Sequence, residues 1–505
     1  MTILFRRWGL FLLLAQLPFS VVADVTSYLD RIKQNPNALY AFFKTMPKGG
    51  ELHYHLTGGA YPEVMLKAAT HGEYCFEPNT WHIEKTVGQC DGIASSVLAQ
   101  NFELYNQALR AWSMNNFNSQ GSETVEDHFF AAFYKFYVLA EDHYPLLLAD
   151  VMRRAAEQRE HYLEIMVMPA VKSLNTLPNE DKPITENGFA KRRKQLLANP
   201  VFQSAVNETI EKMGNDLKTA RKRLGCELKP QQNACQLTIK FQYYALRAQP
   251  LGKVFEQVLL GFLAAEKSAN VVGVNLVQAE DAFIPLRDYK KQMQIFAFLH
   301  QHYPNVAIDL HAGELNPQSV MPKDTRFHIH DAVSTGHANR IGHGVDIAHE
   351  NNPEEIMRVM KAHQIAVEIN LTSNAVLLNI KGKRHPLNYY LEHQVPVVLS
   401  TDDEGLLRTD LTSQYVAAVL EHGLNYSTIK QINRNALTYS FLPGKSLWRD
   451  PSRADPVSEC VNLNSNSCLQ WVKQNKKAKL QRQLEIELGR FERRYDTVHG
   501  ISRPN

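Results

Sequence analysis

Four short stretches carry side chains that can act together. His53 and His55 stand two apart in Leu52-His53-Tyr54-His55-Leu56. His311 runs into Ala312-Gly313-Glu314, His343 lies between Gly342 and Gly344, and Ser400-Thr401 precede the adjacent acids Asp402 and Asp403. A His-x-His pair is weak evidence by itself in a chain with 20 histidines. Adjacent aspartates at the end of an apolar run are costly unless something pairs them, and a metal is a natural partner. Three imidazoles (His53, His55, His311) and the Asp402 carboxylate, with no thiolate, describe a catalytic zinc site that keeps a position open for water. The competing reading is four separately satisfied core groups. It leaves the complementary residue types at four strand ends without a reason.

Each stretch ends or occupies an apolar, β-branched run, and there are eight such runs. They are Leu52–Leu56, Tyr162–Met168, Leu237–Leu246, Val271–Leu276, Val306–Leu310, Arg340–Val345, Ile365–Leu371 and Val395–Ser400. Helical patterns lie between them, at Phe129–Arg159, Phe189–Leu224, Leu259–Ala269, Tyr289–His302, Pro353–His363 and Asp410–His422. Strand and helix alternating eight times predict an α/β fold, a (β/α)8 TIM barrel, whose chemistry gathers at the C-terminal ends of the strands. An open doubly wound sheet is the alternative, but its Gly-x-Gly-x-x-Gly after the first strand is absent. Two residues apart on a strand, His53 and His55 point to the same side. Glycine on both sides of His343 leaves room for a ligand near its ring.

The barrel is assigned to residues 24–445, with insertions at 71–125 and 170–236 and a C-terminal tail at 446–505. In the tail, Leu480, Leu484, Leu488, Phe491 and Tyr495 form one helix face that packs on the body, while Lys473, Lys476, Lys477 and Lys479 read as a solvated face. Residues 1–23 read as a signal peptide: Arg6 and Arg7, an apolar stretch too short to span a bilayer, then Val21-Val22-Ala23. The expected location is therefore secreted or periplasmic, with no membrane attachment after cleavage near Ala23. The six cysteines fall in three local pairs, Cys75/Cys90, Cys226/Cys235 and Cys460/Cys468. An oxidising compartment and short separations favour these three bridges among the possible connectivities, with free buried thiols as the alternative. Asn207, Asn425 and Asn370 head glycosylation sequons, the last on a strand expected to be buried.

The composition is globular, with 44% hydrophobic and 21% charged residues, and excludes disordered and fibrous classes. A net charge of +3 from 55 basic and 52 acidic residues gives no electrostatic case for nucleic acid.

The motif set resembles that of the adenosine deaminase family, in the family's order. It comprises His53-Tyr54-His55-Leu56, His311-Ala312-Gly313-Glu314, Gly342-His343-Gly344 and Ser400-Thr401-Asp402-Asp403, with Glu368–Asn374 and His385-Pro386-Leu387 alongside. The likeness covers roughly residues 45–70 and 126–443. The Met46-Pro47-Lys48-Gly49 lead-in, the export peptide and the cysteine-bearing insertion resemble the secreted branch, the adenosine deaminase-related growth factors. The resemblance implies one Zn2+ held by His53, His55, His311 and Asp402. It implies catalytic roles for Glu314, as proton donor to purine N1, and for His343, as orienter of the attacking water. Substrate contacts fall to Asp403 at N7, and to His55, Thr57, Gln278 and Gly313. The implied reaction turns adenosine or 2′-deoxyadenosine into inosine or 2′-deoxyinosine and ammonia. A homodimer is a family-level expectation. A secreted binding or signalling protein on the same scaffold, a deaminase of another 6-aminopurine, and a related amidohydrolase are the alternatives. Thr57 stands where the family commonly has aspartate, and Gln278 where it usually has glycine, so the sugar and N3 contacts, and with them the preferred nucleoside, are open.

Overall fold

The computed structural model describes residues 24–119, 121–169, 171–175, 184 and 186–496. Residues 1–23, expected to be an export peptide, and part of the second insertion lie outside the described residues. The eight apolar runs form eight strands: β1 (Lys48–His55), β2 (Glu160–Val167), β3 (Thr238–Leu246), β4 (Val271–Val277), β5 (Ala307–Ala312), β6 (Arg340–His343), β7 (Ala366–Ile369) and β8 (Val397–Leu399). All pairings are parallel and follow chain order, the topology of a (β/α)8 barrel. The ring closes between β1 and β8 through a single parallel bridge, Tyr54 with Asp402. His55 N–H donates to Asp402 O at 3.1 Å and Asp402 N–H to His53 O at 3.3 Å. Ser400 Oγ supports this seam by accepting from Leu52 N–H and His53 N–H. A bulge in β1 between Glu51 and Tyr54 re-aims the histidine segment at the seam.

Two long helical runs each divide in two. Phe129–Arg159 falls into helices Val125–Asp142 and Tyr144–Glu157, and Phe189–Leu224 into Phe189–Ala198 and Pro200–Arg223. Pro145 and Pro200 cause the breaks, because proline lacks an N–H and its ring clashes with the carbonyl four residues back; it is accepted only in a first turn. Helix Val125–Asp142 packs on the turn Leu56–Gly59 that follows β1 and on helix Leu371–Leu377 that follows β7. It thus covers part of the C-terminal mouth of the barrel.

The surplus segments are tied down locally. All three cysteine pairs are bridged as the spacing suggests. Cys75 lies on Tyr74–Phe76, the middle strand of a small antiparallel sheet in the first insertion. The tail helix Lys476–Glu492 buries Leu484, Leu488 and Phe491, whereas Leu480 and Tyr495 are only partly covered. Gln481 is buried instead and accepts from Leu447 N–H at 2.7 Å. Lys477 departs from the solvated-face reading: its Nζ donates to the carbonyls of Thr438 and Ser440. Asn370 is fully buried as expected, although it lies just past β7, at the start of helix Leu371–Leu377.

Candidate active site

At the seam, three strands deliver polar side chains to one point. His53 and His55 Nε2 each lie 3.3 Å from Asp402 Oδ1, and His55 Nε2 lies 3.3 Å from His311 Nε2. Nitrogen and oxygen ligands about 2.0–2.1 Å from a tetrahedral zinc would stand about 3.3–3.4 Å from one another, so the spacing fits such an ion. His53, His311, Asp402 and Asp403 are buried, and His55 is nearly so. His53 Nε2 has no hydrogen-bond partner, a costly state for a buried lone pair that a metal would relieve.

The far sides of the rings are also fixed. His53 Nδ1–H donates to Glu368 Oε2 at 2.7 Å. His311 Nδ1–H donates to Asn275 Oδ1 at 2.9 Å, an oxygen that also accepts from Leu276 N–H. Both rings therefore turn Nε2 inward, the second-layer pattern that orients metal-binding imidazoles. Glu368 in turn accepts from Arg340 Nε at 2.5 Å, and Arg340 reaches Glu164 and Asp309. Burial pushes His55 down to about 4 and His343 to about 3, and holds His311 well below the usual range, so these rings are neutral at pH 7. Burial opposes the charge on Asp402, but the His53 ring 3.3 Å away and the surrounding imidazoles outweigh it and keep the carboxylate ionised.

Two further carboxyls take the opposite state. Glu314 is raised well above the usual range by burial and then by the charges of Asp402 and Glu280, and Asp403 by burial and then by Asp402. Each is a proton-bearing acid beside an ionised one. Glu314 Oε1 lies 3.5 Å from His343 Nδ1, and His343 Nε2 lies 3.9 Å from Asp402 Oδ2. Asp403 Oδ1 has no partner and lies against Gly58, where a Cβ would stand 1.6 Å from it.

Glycine beside His343 serves a different ring from the one expected. A Cβ on Gly342 would stand 2.7 Å from His53 Cε1, so this glycine makes room for His53. A Cβ on Gly344 would stand 2.6 Å from the Tyr390 hydroxyl. Gly313 spends its N–H on Glu280 Oε1 and its carbonyl on Val345 N–H, so both backbone groups are occupied within the protein. Gln278 keeps a glycine-like backbone at φ 87°, and its Oε1 accepts from Ala248 N–H at 2.9 Å. The carboxamide is tethered, and the left-handed turn of a glycine is retained. Thr57 is buried in the turn after β1. Gln278, His343 and Asp402 all hold positive φ at strand ends, strain of the kind that collects at functional sites.

Sequence reasoning left Asn275, Glu280 and Arg247 without roles. Glu280 accepts from Gly313 N–H, Glu314 N–H and His328 Nδ1, and Arg247 Nη2 donates to the His311 carbonyl. Their signal was a polar residue at the end of a buried strand, which was read only where histidine or paired acid drew notice.

Comparison with known proteins places this geometry. A sequence model described as adenosine deaminase matches residues 113–448. An adenosine deaminase of Pseudoalteromonas translucida (strain TAC 125) is 27% identical over 229 residues, 40% of this chain and 65% of that protein. An adenosine deaminase of Klebsiella pneumoniae (strain 342) is 34% identical over 137 residues, 27% of this chain and 38% of that one. The matches thus span less than two thirds of either relative. Among solved structures, Arabidopsis ADAL complexed with IMP superposes with a TM-score of 0.51 at 17% identity, covering 90% of this chain and 99% of that one. That likeness is one of fold.

Proposed function

The chain belongs to the adenosine deaminase family, and we propose that it is a zinc-dependent aminohydrolase. It would convert adenosine, 2′-deoxyadenosine or a close 6-aminopurine nucleoside to the 6-oxo product and ammonia. One observation carries the reading: two largely buried carboxyls, Glu314 and Asp403, which burial and neighbouring charges push toward the protonated form, flank the cluster of His53, His55, His311 and Asp402, whose spacing fits a metal. Purine ring nitrogens N1 and N7 are acceptors, so two neutral acids are the complement a 6-aminopurine needs.

His53, His55, His311 and Asp402 would hold the zinc, which when bound lowers the pKa of a water to about 7. Glu314 donates its proton to N1, which draws electrons from C6 and prepares it for addition of the water oxygen. His343, from the opposite side, holds that oxygen, and the ionised Asp402 accepts its proton. Asp403 donates to N7 and fixes the plane of the base over the site. The proton taken up by Asp402 passes to the amino group, which leaves as ammonia, while the C6 hydroxyl returns its proton to Glu314; the ring keeps the N1 proton and a carbonyl at C6. Gln278 offers the same backbone turn that glycine gives elsewhere in the family, with its side chain held by Ala248. Thr57 offers a hydroxyl and no charge toward the sugar. The same reading includes export, with the three disulfides as its support.

The test is direct. Zinc-loaded protein is incubated with adenosine, 2′-deoxyadenosine and other 6-aminopurines, following loss of the substrate absorbance band and release of ammonia. The reading expects turnover of at least one nucleoside. No turnover of any 6-aminopurine by protein carrying one zinc per chain overturns it.

A further inference from the structure

We propose that Asn374 and His385 are positioning residues that hold the ring proton of His343 on Nε2, which makes His343 a hydrogen-bond donor into the site and removes it from the metal's ligands. Six residues crowd the seam, and two sets can be drawn from them: His53, His311, His343 and Asp402 approach one another closely, as do His55, Asp402 and Asp403. Distance alone does not divide ligand from non-ligand. The hydrogen bonds behind the rings do.

The argument begins at a group with no freedom. Leu387 N–H can only donate, and it lies 3.2 Å from His385 Nδ1, so that nitrogen accepts. Burial keeps His385 neutral, pushing it down to about 3, and its one proton therefore sits on Nε2. His385 Nε2–H donates to Asn374 Oδ1 at 3.0 Å. This sets the amide's orientation and turns the Asn374 NH2 toward His343 Nδ1, also at 3.0 Å. An amide nitrogen donates and does not accept. His343 Nδ1 must accept, and the proton of this neutral ring lies on Nε2. Flipping the amide would put a proton on His385 Nδ1 facing the Leu387 N–H, donor against donor. The backbone N–H thus breaks the symmetry of the whole relay.

The metal-fitting rings are wired the opposite way. His53 and His311 give their Nδ1 protons to Glu368 and Asn275 and turn Nε2 toward the metal-fitting cluster. His343 receives at Nδ1 and keeps Nε2 protonated, so its Nε2 has no lone pair for a metal. Its 3.9 Å separation from Asp402 Oδ2 suits one oxygen atom between them, accepting from Nε2–H and donating to the carboxylate. This takes His343 out of the cluster and agrees with His53, His55, His311 and Asp402 as the ligand set. The assignment of a job to His343 rests on the deaminase reading. The assignment of its proton does not.

The experiment reads the histidine ring nitrogens of the zinc-loaded full chain by 15N–1H correlation, together with steady-state kinetics on adenosine. Wild type is expected to show His343 protonated at Nε2. Asn374→Asp, of the same shape, presents an acceptor to Nδ1 and should move the proton there. It should lower kcat about 10- to 100-fold, the range typical of second-layer changes, with KM within about twofold and one zinc per chain retained. His385→Gln, which still donates to Asn374 Oδ1, should keep the Nε2 proton and most of kcat. Wild-type His343 protonated at Nδ1 overturns the relay, as does an Asn374→Asp protein that keeps both the Nε2 proton and kcat. Should Asn374→Asp fail to fold, the wild-type spectrum alone decides. A protein that deaminates nothing yet shows the Nε2 proton supports the relay and refutes the deaminase reading.

Discussion

Asp402 is buried and Glu314 nearly so on one site, and their neighbours decide which keeps a proton. Asp402 faces imidazoles and stays ionised; Glu314 faces Asp402 and Glu280 and stays protonated. A neutral Glu314 can give a proton to a ring nitrogen, so Glu314→Gln should lower kcat by about 10²–10⁴, the usual worth of a general acid, with metal content unchanged. Retention of turnover in that variant would remove the acid role. The pH dependence follows from the same charges. Activity needs the protonated form, so it is present below the raised pKa of Glu314 and is lost as pH rises through it. Glu280→Gln deletes one of the charges that raise this pKa and keeps an acceptor for the Gly313 or Glu314 N–H. The alkaline limb of kcat/KM should therefore move to lower pH, and a shift to higher pH in the measured profile would contradict this account.

At the scale of elements, strand ends were legible because a polar residue that closes a buried apolar run has no cheap structural reason to be there. His53, His55, His311, Glu314, His343, Asp402 and Asp403 all stood out in that way, and the structure brings them together. The layer behind them was not legible. Glu368 lies 315 residues from the ring it orients, Asn275 lies 36 from its own, and nothing in local spacing joins His385 to Asn374 or Asn374 to His343. Such partners are set by which strands become neighbours, which the chain order fixes only once the barrel has closed. The breaks at Pro145 and Pro200 were readable from proline alone, yet apolar periodicity ran through both. The disulfides are local and close short loops. The Cys226–Cys235 bridge follows helix Pro200–Arg223, far along the chain from the metal-fitting group, with a separation of nine residues. Replacing both with serine should cost about 2–3 kcal/mol, the chain-entropy value for so short a loop, read as a fall in the denaturation midpoint. kcat/KM should be unchanged. A loss of activity in folded protein would show coupling between this loop and the mouth.

The molecule as a whole is a ring of eight strands with one weak joint, and the metal-fitting residues sit on that joint. β2 and β3 pair over six positions, whereas β1 and β8 meet at a single bridge with two backbone hydrogen bonds. His53 and His55 lie on β1 and Asp402 just past β8, so an ion bound by them joins the two ends of the sheet across its thinnest contact, with His311 of β5 as the far anchor. Without it, the neutral rings of His55 and His311 face an ionised Asp402 in a buried space, together with His53, which Asp402 and Glu368 hold well above the usual imidazole range despite its burial. Removing the metal should then do more than stop turnover. Ligand that binds only the folded state stabilises it by about 2.7 kcal/mol at a hundredfold excess over Kd, so chelation should lower Tm by several degrees and re-addition of zinc should restore it. The loss should also be local first, since a barrel opens where the fewest bonds hold it. Hydrogen exchange of the His55 and Asp402 amides should accelerate on chelation before that of β2 and β3. If all eight strands lose protection together, the metal's contribution is to the barrel at large and not to its seam.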